Sequence, residues 1–194
     1  MNRYFDVSSI ILAAGNGTRI GIPKLMLNIN GVSYLTHIVN SLKQAKILNI
    51  VCVVNSDTFD WAKNNADDNI RIAINPDIKN GMISSIYSGL KQLQDYKGIM
   101  IIPVDHPYVC YKTYSVLINA FQQYPDAIIK PSWNNKSGHP IIIPYKLTEL
   151  IQNNDITGGL NCLIKQSGIK QIFIPVSDEG IVKNINTYDD IYSI

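Results

Sequence analysis

Apolar residues along this chain fall into two spacings that take turns. Short, continuous, β-branched runs occur at Ser9-Ile10-Ile11-Leu12-Ala13, Ile47 to Val54, Ile70 to Ile74, Ile99-Met100-Ile101-Ile102 and Ala127 to Lys130. Such runs predict strands buried on both faces. Between them the apolar positions step by three and four, as in Val32, Leu35, Ile38, Val39 and Leu42, and again in Met82, Ile86, Leu90 and Leu93. That period predicts helices with one buried face. Asp57 to Ala66 reads as a shorter helix capped by Ser56 or Asp57, and Thr113 to Phe121 as another. Strands alternating with helices predict an α/β fold, a single domain over residues 1–194 with a doubly wound, mostly parallel sheet flanked by helices, because parallel neighbours need a crossover. Ligands of such sheets sit beyond the carboxyl ends of the strands. The residues that follow the first strand and the Ile99–Ile102 strand are therefore the first candidates for a site.

Composition narrows the partners. A net charge of +2, with Lys and Arg scattered, gives no basic patch for nucleic acid or an acidic membrane surface. Cys52, Cys110 and Cys162 are odd in number and far apart, so neither a disulfide framework nor a paired-cysteine metal site is written here. The first nine residues lack the plan of a secretory leader, and no apolar run approaches a membrane span. The expectation is a soluble cytoplasmic protein.

The first strand ends in Leu12-Ala13-Ala14-Gly15-Asn16-Gly17-Thr18-Arg19, followed by Gly21, Pro23 and Lys24. Small residues let a backbone approach a ligand, Gly15 and Gly17 permit positive φ, and successive amides can then wrap an anion. Arg19 and Lys24 add positive charge. The pattern lacks the G-K-[ST] of a Walker loop and the third glycine of a dinucleotide fingerprint. Phosphate binding is favoured over a plain strand-to-loop turn.

Asp105 follows a strand of Ile and Met and is held in Pro103-Val104-Asp105-His106-Pro107. A carboxylate there suits Mg²⁺, which takes few protein carboxylates and completes its shell with phosphates and water. The competing role is to cap a helix that starts near Tyr108. Ser84 and Ser85 near a helix start can either cap it or meet a nucleotide. His139 sits in Gly138-His139-Pro140, with Lys130 a weaker candidate for the same pocket, and His37 is placed on a helix surface beside Asn40.

These segments together resemble nucleotidyltransferases of the molybdenum cofactor cytidylyltransferase type. The resemblance rests on Leu12-Ala13-Ala14-Gly15-x-Gly17-x-Arg19-x-Gly21-x-Pro23-Lys24 and on Asn75-Pro76 with Gly81-Met82-x-Ser84-Ser85 and Gly89-Leu90. It extends through Asp105-His106-Pro107, Gly138-His139-Pro140 and Asp178-x-Gly180 to Thr187, where the family has its C-terminal strand and helix. It implies that Leu12, Ala13, Ala14, Gly15, Gly17, Asn75, Ser84 and Ser85 bind the nucleotide, and that Arg19 and Lys24 neutralise phosphate charge. Asp105, with Asn184, would hold Mg²⁺, and His139 would face the acceptor. The same resemblance treats His106 as a variable loop position. Ala14, where guanylyl-transferring relatives carry glycine, points to CTP. Asn184 and Asn186 stand where the family usually has aspartates, and Asn161 where it has arginine. These changes leave molybdopterin and sugar or alcohol phosphates all open as acceptors.

The expected reaction is transfer of a nucleoside monophosphate to a small acceptor with release of pyrophosphate. Two other readings compete. A nucleotide sensor without turnover would bind the NTP and release nothing. A dinucleotide oxidoreductase is opposed by the missing third glycine and by the lack of an acidic strand end about 20 residues beyond the loop.

Overall fold

The computed structural model describes residues 6–15, 21–153 and 158–185. In chain order its strands are β1 (Val7–Leu12), β2 (Asn28–Ile29), β3 (Val32–Ser33), β4 (Ile50–Val54), β5 (Arg71–Ile74), β6 (Gly98–Pro103), β7 (Ile128–Trp133), β8 (Lys136–Ser137), β9 (Ile141–Pro144) and β10 (Gln171–Pro175). The helices are α1 (Tyr34–Gln44), α2 (Ser56–Asn65), α3 (Gly81–Leu90), α4 (Tyr111–Gln123), α5 (Tyr145–Asn153) and α6 (Gly159–Gln166). The main sheet runs β10-β7-β9-β6-β1-β4-β5, with β8 paired to β7. Strands β6, β1, β4 and β5 are parallel, as is the β7–β10 pair. Between these two groups β9 runs antiparallel to both neighbours.

Period-two burial divides the core into two layers. Ile11, Cys52, Met100 and Ile102 face one layer, closed by α1, α2 and α4. Ile10, Val51, Val53, Ile99 and Ile101 face the other, closed by α3, α5 and α6. The chain steps from β1 to β4 and β5 on one side, then returns to place β6 on the other side of β1. That reversal opens a crevice at the carboxyl ends of β1 and β6, as expected for a doubly wound sheet.

Three local expectations are corrected. Val32 belongs to β3 and not to a helix, because Asn30 and Gly31 both adopt positive φ and turn a short β2–β3 hairpin; Ser33 then caps α1 through Thr36 N–H at 3.1 Å. Asn55, not Ser56 or Asp57, caps α2: its Oδ1 accepts from Thr58 N–H at 3.0 Å and from the Thr58 hydroxyl at 2.8 Å. The chain before Asp178 holds the strand, β10, whereas Asp178 itself opens a single 3₁₀ turn at Glu179–Ile181. The call of a helix near Thr187 lies outside the described residues.

Asn55 also donates to the Ala14 carbonyl at 3.3 Å, so one side chain starts α2 and steadies the loop after β1. Replacing it with alanine removes a cap worth about 1–2 kcal/mol. Asn55→Ala is expected to lower urea-unfolding stability by about that amount, and an unchanged midpoint would remove Asn55 from this role.

Candidate active site

The loop after β1 is held from behind. Ala13 N–H donates to the Val53 carbonyl at 2.8 Å, and Ala13 and Ala14 are buried. Gly15 does not use the positive φ that glycine permits, and a Cβ built there meets nothing within 4 Å. The empty space over Gly15 is the cleft itself, so a side chain at this position would occupy ligand volume. Arg19 and Gly17 lie outside the described residues.

Lys24 opens a 3₁₀ turn, Lys24–Met26, that is anchored by the fully buried Leu25. Its ammonium donates to Asp105 Oδ2 at 2.9 Å. Asp105 lies just past β6 and does not cap a helix; α4 starts only at Tyr111, and the N–H of its cap residue Cys110 donates to Asp178 instead. The second carboxylate oxygen, Asp105 Oδ1, is buried and accepts no hydrogen bond from any described residue.

A cleft of about 430 Å³ runs between these groups. Leu12, Ala14, Gly15, Lys24, Ser85 and Asp105 line it, together with Ile78, Gly81 and Met82 from the entry to α3. Asn75 and Ser84 stand behind the wall. The Asn75 amide donates to the Ser84 and Ser85 hydroxyls, each at 2.9 Å, and its carbonyl oxygen accepts from Asp77 N–H at 2.8 Å. Ser84 Oγ is within reach of the Asp77 and Gly81 carbonyls as well. Asn75 is thus spent on shaping the β5–α3 turn.

A second cleft of about 450 Å³ adjoins the first, and Met82 lines both. Its walls carry Lys130, His139, Asn161 and the glycine-led start of α6 at Gly158 and Gly159. The His139 Nδ1 atom is buried without a hydrogen-bond partner among the described residues, and the His139–Pro140 peptide bond is cis. Burial above all, then the neighbouring His106 and Lys130, pushes the His139 pKa down to about 4, against the opposing pull of Asp105. Burial also lowers Lys130. His37, expected on the surface, is half-buried, and its pKa is lowered by burial.

His106 lies in the loop after β6, as expected, but is turned inward. It is 8% exposed and lies with its ring centroid 5.3 Å from that of His139. Burial, the largest influence, lowers its pKa. The residue type was visible in the sequence beside Asp105, but nothing in a single chain announced that the ring turns inward.

The segment 178–185 ties the two clefts together. Asp178 Oδ2 accepts from Cys110 N–H at 2.9 Å and from the Thr113 hydroxyl, and Oδ1 accepts from Gly180 N–H at 3.0 Å. His139 N–H donates to the Ile181 carbonyl and Ile185 N–H to the Asp105 carbonyl, both at 2.9 Å. The segment runs so close that a Cβ on Gly138 would stand 1.9 Å from the Ile181 carbonyl oxygen, and one on Gly180 would stand 2.6 Å from that of Tyr108. Asn184 is exposed, directly before Ile185.

The model of the MobA-like NTP transferase domain matches residues 9–172, most of the chain and every strand of the site. The chain belongs to that family. A Bacillus cereus protein named as a probable molybdenum cofactor guanylyltransferase is 25% identical to this transferase over 176 residues, 85% of this chain and 82% of that protein. The bifunctional protein GlmU of Buchnera aphidicola is 25% identical over 154 residues, 77% of this chain, although those residues span only 33% of its own length. Among solved structures, an Rv0371c homologue from Mycobacterium sp. strain JC1 superposes with a TM-score of 0.82 at 21% identity, covering 96% of this chain and 93% of that one. A nucleotidyl transferase from Methanothermobacter gives 0.79 at 18%, covering 97% and 95%. The Mycobacterium tuberculosis protein Rv0371c in complex with manganese gives 0.77 at 17%, covering 97% and 96%. At these identities the transferase shares their fold.

A histidine held neutral in the fold makes stability depend on pH in a defined direction. His139 binds its proton near pH 6.5 when unfolded and near 4 when folded. Between those values the unfolded chain holds more protons, so stability is complete above about 6.5 and falls as pH drops towards 4. Chemical denaturation across this window is expected to show that slope, with His139→Gln flattening part of it; an equal slope in the variant would refute the assignment.

Proposed function

We propose that residues 1–194 act as one Mg²⁺-dependent nucleotidyltransferase domain that moves a nucleoside monophosphate, CMP in preference, from its triphosphate to a small phosphorylated acceptor. The observation that carries this reading is the meeting of Lys24 with Asp105 across the Gly15 loop, at the crevice between β1 and β6. An acceptor oxygen attacks the α-phosphorus in line, the bond from that phosphorus to the α,β-bridging oxygen breaks, and pyrophosphate leaves. Positioning and charge neutralisation supply most of the acceleration in such reactions, and no protein nucleophile is required.

Each residue has a role in that scheme. The Leu12–Gly15 backbone, extended through Gly17, lies along the phosphates. Lys24 and Arg19 neutralise charge as it moves to the leaving group. Ser85 faces the nucleoside, and Asn75 and Ser84 hold the turn that presents it. The buried, unpartnered Asp105 Oδ1 offers the hard oxygen that a divalent cation takes, and Asn184 can add a neutral amide oxygen. Such an ion would screen phosphate charge and favour departure of pyrophosphate. Family members are typically dependent on a divalent metal, and the manganese complex of the mycobacterial relative supports the same choice here.

The base and acceptor are read from the clefts. Asp105 is the one carboxylate among the described residues lining the first cleft, and it is engaged by Lys24. Guanine presents adjacent N–H donors that favour a free carboxylate, whereas cytosine can be met by backbone groups and a serine; this supports CTP. The names of the Bacillus relatives favour GTP and a molybdenum cofactor acceptor. The second cleft, with Lys130, His139 and the start of α6, suits an anionic acceptor such as molybdopterin or a sugar or alcohol phosphate. The compartment proposed is the cytoplasm. No helix among the described residues is long and apolar enough to cross a membrane.

Pyrophosphate release with CTP, GTP, UTP, ATP and dTTP, Mg²⁺ and an acceptor panel is expected to single out CTP with one phosphorylated acceptor. Binding of NTP with no release from any acceptor would favour the sensor reading. Asp105→Ala is expected to lower the rate by on the order of 10²-fold or more with the fold intact, and Lys24→Ala to weaken both NTP binding and kcat. An unchanged rate in Asp105→Ala would take Asp105 out of the reaction.

A further inference from the structure

Of the described residues, only Met82 lines both clefts. On one side of it lie Lys24, Ser85 and Asp105, the groups assigned to the triphosphate, and on the other Lys130, His139 and Asn161. Nucleotidyl transfer requires the two substrates to touch, because an attacking oxygen stands about 3–3.5 Å from the phosphorus before the bond forms. With the triphosphate in one cleft and the acceptor in the other, that contact falls at the wall the clefts share.

The backbone beneath this wall is fixed. Met82 is in the first turn of α3, and Ile83, Ile86 and Leu90 of the same helix are buried. Gly89 brings α3 so near the sheet that a Cβ there would stand 2.8 Å from the Ile10 side chain. Ser85, one turn on and on the same helix face, lines the first cleft as well. The Met82 side chain itself is free to move: it is 41% exposed and turns about three bonds. Its thioether is at most a weak hydrogen-bond acceptor, so it offers a water molecule little hold. A rigid base with an apolar, adaptable tip suits a partition that an incoming substrate pushes aside.

We infer that Met82 is the positioning residue for the acceptor: it fills the junction of the clefts, directs the acceptor's reacting oxygen onto the α-phosphorus and keeps water from that place. This rests on the proposed nucleotidyl transfer and adds to it what selects an acceptor over water. Water is the smallest competitor. When it attacks, its oxygen bonds to the α-phosphorus, the bond to the α,β-bridging oxygen breaks and a proton goes to solvent, leaving nucleoside monophosphate and pyrophosphate. Truncating Met82 to alanine vacates more than the roughly 30 Å³ that one water occupies in the liquid.

The test is hydrolysis of CTP and, separately, of GTP by the whole protein with Mg²⁺ and no acceptor, read as monophosphate formed, beside triphosphate binding by calorimetry and unfolding in urea. Met82→Ala is expected to keep its unfolding midpoint, since the side chain is exposed and alanine is the better helix former. It should bind the triphosphate as the wild type does and form monophosphate faster by on the order of tenfold. Met82→Leu, close in volume, should stay at the wild-type rate. With the acceptor that the panel identifies, Met82→Ala should raise the acceptor KM and divert product from transfer to monophosphate. Equal hydrolysis in all three proteins, with triphosphate bound to each, would overturn the inference. So would a rise alike in Met82→Leu and Met82→Ala, or a loss of triphosphate affinity in Met82→Ala, which would make Met82 a nucleotide contact. Failure of the wild-type protein to bind either triphosphate would instead defeat the transferase reading beneath it.

Discussion

The site depends on a short stretch of chain whose backbone is bonded on both sides. Residues 178–185 hold one 3₁₀ turn and little else of regular structure, yet Ile185 grips the Asp105 carbonyl and Ile181 grips the His139 amide. Buried backbone groups left unpaired are costly, so these two bonds fix where the Asp105 and His139 loops lie relative to each other. Asp178 secures the near end by accepting from the Cys110 N–H and the Thr113 hydroxyl at the start of α4, a helix whose cap residue, Cys110, makes no side-chain cap bond. Gly138 and Gly180 let the strands of this knot approach more closely than any side chain permits.

Around that knot the electrostatics are local. The parallel strands β1 and β6 bring the Gly15 loop and Asp105 to one edge of the sheet, and the buried Leu25 holds the turn from which Lys24 reaches Asp105. Histidines 106 and 139 meet behind the carboxylate, in a place where burial keeps both rings from charging readily. Among the described residues, positive charge at the first cleft comes from Lys24, while burial lowers the pKa of both imidazoles.

What the sequence disclosed and what it hid follow from range. The β1 run, its glycine loop and the Ile99–Ile102 strand ending at Asp105 were readable because each is a local pattern: continuous apolar residues, then small or rigid ones. The antiparallel strand β9 was not assigned, since Ile141-Ile142-Ile143 before Pro144 is too short for its period to speak, and only pairing with β6 and β7 makes it a strand. Asn55 was passed over for its neighbours because three adjacent polar residues are all good caps, and the choice falls to the one that also reaches Ala14. The resemblance grouped Asn75 with Ser84 and Ser85, but the hydrogen bonds that join them could not be seen in one dimension. The inward turn of His106 is set by Gly180, 74 residues away.

The reversed direction of β9 has a consequence for how such a protein can diversify. Because β9 runs against β6, it is the entrance to β9, not its exit, that lies over the same rim as the ends of β1 and β6. The first cleft is therefore furnished by the run from β1 to β6, and the second mainly by residues 130–161, with Met82 the wall they hold in common. Changes within residues 130–161, at Asn161 or in the β7–β8 hairpin, alter the lining of the second cleft and leave that of the first in place. The two clefts are in this sense furnished by separate parts of the chain and joined at a thioether.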